Sequence, residues 1–204
     1  MMHPRHVALA TEDELSEAVG QKLISMTNGK LAATLLLRQG GQGYLYKRIK
    51  NFCEMSAHQP VILITDLDNS KHPHELITKW LGKLQKPKQL IIRIAVREIE
   101  SWVLSDHAAI NTLLGKSIGK IPENPDTLAD PKSTLLSLAK KAPREIKADL
   151  VAQSGTVARQ GYGYNRVLIE FIKESWCPIR ASERSDSLKR AIHRIQELAN
   201  NHHQ

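Results

Sequence analysis

The sequence predicts an α/β fold: a mostly parallel sheet flanked by helices over residues 1–105, then a helical region over residues 106–204 packed on it. Three observations carry this. Apolar runs and amphipathic segments alternate as β-α-β-α-β-α-β-α, the pattern of parallel strands joined by crossover helices. The run PVILIT (60–65) has no polar alternation, as in a strand covered on both faces. Past residue 105 no segment reads as a strand.

Each element has its own signal. HVALA (6–10) reads as a short strand. The helix after it places Leu15, Val19, Leu23 and Met26 at helical spacing. KLAATLLLRQ (30–39) is a second strand ending near Arg38. GGQG (40–43) breaks it, and residues 44–57 continue as a basic helix. After PVILIT comes a helix over 72–84 with Pro73 in its first turn. QLIIRIAV (89–96) is the fourth strand, and residues 97–115 read as one continuing helix. The stretch 119–133 is rich in Pro, Asn and Asp and reads as a loop. Residues 130–142 form a helix with Asp130 as N-cap and Pro131 behind it. A short helix over 144–152, a Gly-rich loop over 153–165 and two amphipathic helices complete the chain.

Composition narrows the function. The 204 residues carry a formal charge of +8, which suggests a polyanionic partner such as nucleic acid, with DNA the expected polymer. Cys53 and Cys177 stand far apart in no CxxC frame, which argues against a zinc site or a disulfide framework and fits a reducing, cytoplasmic setting. No apolar run approaches membrane-spanning length, and the N-terminus turns acidic before a signal-peptide core could form. Aromatic content is 4%, too low for base stacking to be a broad binding strategy.

The chemistry-bearing residues sit at strand ends. Glu12 follows the first strand with Asp13 and Glu14, Asp66 and Asp68 end the third, and Glu98 and Glu100 follow the fourth. Ligands of open parallel sheets bind beyond the carboxyl ends of the strands. Carboxylates gathered there repel one another unless a cation neutralises them, and hard oxygen donors suit Mg²⁺ or Mn²⁺. In extended geometry Asp66 and Asp68 face the same side and form a shared metal platform. The competing reading is purely structural: Asp68-Asn69-Ser70 is a good turn sequence, and acids favour helix starts.

A glutamate after strand one and the hydrophobic run with DxD in ILITDLD (62–68), on an α/β framework of about a hundred residues, resemble the toprim domain of topoisomerases, bacterial primases and OLD-family nucleases. IAVREIESWVLSD (94–106) is similar to a segment of small toprim-like proteins. The resemblance covers about half the chain, and Asp13 stands where family members commonly have Gly. It implies Mg²⁺-dependent phosphoryl transfer on nucleic acid. Glu12, Asp66 and Asp68 would be catalytic and would hold the cation, with Glu98 or Glu100 as a supplementary ligand and Glu12 as ligand or general acid/base. It also implies a separate ATPase subunit, since OLD-type nucleases join this domain to an ATPase, and with it a role in defence against phage or plasmids. No tyrosine stands out as a topoisomerase-type nucleophile, so hydrolysis is the expected reaction.

Candidate nucleic-acid contacts are Lys47, Arg48, Lys71, Arg97, Lys132 and Arg159, with Tyr162 and Tyr164 able to stack on a base. Arg97 is also placed to pair with a neighbouring acid. The loop 40–43 lacks the Walker pattern. Two other functions compete: a nucleic-acid-binding or scaffolding module that keeps the toprim shape without turnover, and a haloacid-dehalogenase-like phosphatase suggested by ITDLDNS (64–70), although that family places the motif on its first strand.

Overall fold

The computed structural model describes residues 3–201. Four strands, β1 (Arg5–Thr11), β2 (Leu31–Arg38), β3 (Val61–Asp66) and β4 (Leu90–Ala95), form an all-parallel sheet in the order β2-β1-β3-β4. The chain leaves β1 toward β2 on one side and β3 toward β4 on the other. The loops after β1 and β3 therefore diverge, and the seam between these two central strands is the switch point where an open α/β sheet makes its crevice. Among the described residues no strand follows β4, and no helix is long and apolar enough to cross a membrane.

Strand alternation divides the core into two layers. Val7, Leu9, Ile62 and Ile64 face α1 (Glu14–Ser25) and the helices of the second half, whereas Ala8, Ala10, Val61 and Leu63 face α2 (Gln42–Lys47), α3 (Ile49–Met55) and α4 (Pro73–Leu81). Val61 to Ile64 are wholly buried, as an apolar strand without alternation requires. The first layer runs unbroken from β1 into the C-terminal helices, so the second half of the chain shares its core with the sheet. Those helices are α5 (Ile99–Leu104), α6 (His107–Leu114), α7 (Pro131–Ala139), α8 (Arg144–Leu150), α9 (Tyr164–Glu174), α10 (Pro178–Ser182) and α11 (Asp186–Asn200). Asp130 caps α7 by accepting from the Ser133 amide at 2.7 Å, as its sequence foretells.

Two expected helices are each broken in two. The basic helix over 44–57 divides at Arg48 into α2 and α3. The helix over 97–115 divides into α5 and α6 because Asp106 leaves helical geometry. The physical reason is its buried carboxylate. Oδ1 accepts from the Ala109 amide and from Arg180 Nε at 3.0 Å, and Oδ2 accepts from the Cys177 amide at 2.7 Å and Arg180 Nη2 at 2.8 Å. Asp106 thus caps α6 and ties it to α10, an arrangement only a charge-matched, fully bonded acid can sustain in the interior.

Asp106→Ala should therefore cost about 3 kcal/mol, since it orphans two backbone amides and a guanidinium. Arg180→Met should cost less, because the amides remain on Asp106 and the arginine is half exposed. Urea denaturation of both variants checks the order.

Candidate functional site

The site is built on the β1–β3 seam. Glu12, the first residue past β1, turns its carboxylate across the seam, where Oε1 accepts from the Thr65 hydroxyl and from the Asp66 amide at 2.8 Å. One oxygen is thereby pinned to the end of β3, and the second lies outside these bonds. The loop after β2 fixes the backbone of both residues: the Gly41 amide donates to the Glu12 carbonyl at 3.2 Å, and Gln42 Nε2 donates to the Asp66 carbonyl at 3.0 Å. Gly41 has φ +78, a conformation that favours glycine. The GGQG segment thus braces the acids through the Gly41 amide and the Gln42 side chain.

Asp66 ends β3. Its Oδ1 is shut off from solvent and has no hydrogen-bond partner. Burial, followed by the charges of Glu12, Glu100, Asp13 and Asp68, holds its carboxyl well above the usual carboxylate range. Burial also raises Glu12, helped by Asp68 and Asp13 and opposed by the bonds from Thr65 and Asp66. An orphaned carboxylate oxygen among four other acids is an electrostatic deficit that the protein's own groups do not fill.

Asp68 reaches the same neighbourhood by another route than strand alternation. The strand stops at Asp66, and Asp68 occupies a turn closed by the Ser70 amide donating to the Leu67 carbonyl at 3.0 Å. Its φ of +47 is left-handed, which aspartate tolerates better than most residues. The expected same-side pair in extended geometry is therefore replaced by a strand-end carboxylate and a turn carboxylate, and the turn reading of Asp68-Asn69-Ser70 holds. Arg97 braces this turn. Its Nη1 donates to the carbonyls of Asp68 and Ser70 at 2.9 and 2.8 Å, so it pairs with backbone oxygens where a carboxylate was the expected partner.

Glu98 and Glu100 lie on the same side but are engaged elsewhere. Glu98 Oε2 accepts from the Lys132 amide at 2.9 Å, at the N-terminus of α7. Glu100, only 4% exposed, accepts from the Tyr164 hydroxyl at 2.8 Å and has Lys132 Nζ at 3.7 Å. That ammonium also lies 4.9 Å above the Tyr164 ring. Burial raises both glutamates. The Lys132 amide draws Glu98 back, and Lys132 and Tyr164 draw Glu100 back. Burial and the Glu100 charge push the Tyr164 hydroxyl far above its ordinary value, so it stays a proton donor. Lys132, expected on nucleic acid, thus serves as the counter-charge of the acid cluster, and Tyr164, expected to stack, is buried in it. Lys47, Arg48, Lys71 and Arg159 are exposed and stand apart from these bonds.

Among the described residues no three His, Cys, Asp or Glu side chains stand close enough to cage a metal. The donor chemistry nevertheless suits one hard cation. Mg²⁺ is held by one or two carboxylates and completes its shell with water and substrate phosphate, so a full protein cage is not required. Asp66 Oδ1 and the second oxygen of Glu12 are the oxygens available to it, with Asp68 on the adjoining turn.

Thr65, Gln42 and Tyr164 are the site residues that sequence reasoning missed or misplaced. Gln42 had a signal in the glycine-rich loop at the end of β2, whereas Tyr164 had none, since its partner Glu100 lies 64 positions earlier. Comparison of the chain with protein-family models, curated proteins and solved structures finds no match.

Asp66→Asn replaces a carboxyl whose ionisation burial and the neighbouring acids oppose with an amide that can donate to those acids. In metal-free buffer it should raise stability by about 1 kcal/mol, a gain of about 2–4 °C in the thermal midpoint. Thermal denaturation followed by circular dichroism measures it.

Proposed function

We propose that this chain is a Mg²⁺- or Mn²⁺-dependent nuclease that hydrolyses phosphodiester bonds of nucleic acid. The observation that carries the reading is the buried, unpartnered Oδ1 of Asp66 at the switch point, on which the charges of Glu12, Glu100, Asp13 and Asp68 act. Asp66 and Glu12 would hold the cation, with Asp68 beside them. When bound, it would activate water and steady the negative charge that develops on the leaving oxygen.

The protein's own groups do the rest. Thr65 and the Asp66 amide fix the Glu12 carboxylate, so it needs no reorganisation as charge develops. Lys132 offsets the charge of Glu100, which lowers the repulsion a phosphate meets on approach. Arg97 keeps the turn that carries Asp68 in its left-handed form. The net charge of +8, with Lys47, Arg48, Lys71 and Arg159 exposed, would draw a polyanion to the molecule. A separate ATPase subunit and a role in defence belong to this reading through the toprim resemblance alone.

One observation favours a second reading, a nucleic-acid-binding module without turnover. Glu98 and Glu100 already have protein partners, and the described residues hold no three-donor cage. Metal-dependent cleavage decides between them. Purified protein incubated with plasmid and with single-stranded oligonucleotides should cut at least one substrate in Mn²⁺ or Mg²⁺ and none in EDTA. Asp66→Ala and Glu12→Ala should lower the rate at least about 100-fold. Calorimetric titration with Mn²⁺ should show a site that Asp66→Ala abolishes. Variants that cut as well as the parent would remove the assignment, and Mn²⁺-independent binding without cleavage would favour the module.

A further inference from the structure

Tyr162 and Tyr164 are two positions apart and have opposite environments. Tyr164 is buried, with its hydroxyl on Glu100, whereas Tyr162 is fully exposed. Tyr162 occupies the tip of a turn closed by the Tyr164 amide donating to the Gly161 carbonyl at 3.2 Å. The Gly161 amide donates to the Leu150 carbonyl at 2.9 Å and anchors that turn to the end of α8.

Glycine is required on both sides of this tyrosine. A Cβ at Gly161 would fall on the backbone carbonyl of Asp149, and a Cβ at Gly163 would fall on the Asp149 side chain. Asp149 is held in turn by Arg166 at 2.8 Å. Exposed apolar residues scattered singly need no explanation. Here, however, the chain uses two close backbone approaches to seat a turn whose outward residue is a large aromatic, beside the residue that lines the acid cluster. Arg159 is exposed on the same loop, three positions before Tyr162.

We infer that Tyr162 is a stacking platform for an unpaired base of the strand presented to the acid cluster, with Arg159 beside it for the phosphate. This rests on the nuclease reading and adds a preference for single-stranded or locally opened substrate. A phenol ring offers every base a π-face, while bases within a duplex are already stacked on one another. It also accounts for a protein with 4% aromatic residues, in which one well-placed ring stands in for a broad aromatic surface.

The test is binding, read separately from cleavage. A fluorescein-labelled phosphorothioate 20-mer, single-stranded or annealed to its complement, is titrated with protein in Mg²⁺ and followed by anisotropy. Tyr162→Ala should weaken single-strand binding by about 5- to 100-fold, Tyr162→Trp should restore it, and duplex binding should change less than about twofold. Equal single-strand affinity of the parent and Tyr162→Ala, or equal weakening by Tyr162→Ala and Tyr162→Trp, overturns the platform. If the parent cleaves normally alongside such a result, the nuclease reading stands without the platform. A parent that neither binds nor cuts any strand overturns both.

Discussion

The bond between the Glu12 carboxylate and the end of β3 is the constraint on which the site depends. It joins the loop after β1 to the last two residues of β3, whose onward connections leave in opposite directions, and it does so with an ionisable group at a buried seam. Without the Thr65 hydroxyl and the Asp66 amide, that charge would sit against Asp66 with little to offset its desolvation. With them, one oxygen is satisfied and the other stays available. The buried stretches Val7–Thr11 of β1 and Val61–Thr65 of β3 behind the seam hold it rigid.

Charge balance organises what surrounds it. The cluster holds Asp13, Asp66, Asp68, Glu98 and Glu100 beside Glu12, and the nearby cation with its own bond to the cluster is Lys132. Arg97 is adjacent in sequence yet spends its donors on carbonyls. The contrast with Asp106 is instructive. That acid is fully buried and receives four hydrogen bonds, two of them from the Arg180 guanidinium, so it reads as a structural joint. Asp66 is the same kind of acid, and one of its oxygens has no partner. The difference between a joint and a site, within one fold, is whether the charge has been answered.

Much of this was legible beforehand, and the limits have physical causes. Patterning along β3 and the acids at three strand ends locate the seam, because burial on both faces and the carboxyl ends of parallel strands are local properties of sequence. The position of Asp68 was legible, and of its two readings, same-side extension and turn, the turn prevailed: extension past Asp66 fails when the next residues make a better turn. The break at Asp106 was illegible, since the residues that hold it, Cys177 and Arg180, lie more than seventy positions away. The partners of Glu98 and Glu100 were hidden for the same reason.

The grip of Glu98 on the Lys132 amide, and of Tyr164 on Glu100, has a temporal side. These contacts span 34 and 64 positions of chain, so during synthesis the sheet emerges long before its acid pocket is walled. A nascent chain lacks the partners of Glu98 and Glu100 until the polypeptide through residue 164 has left the ribosome. The order in which the parts are made therefore leaves these two acids unanswered until the helices that carry Lys132 and Tyr164 have followed the sheet.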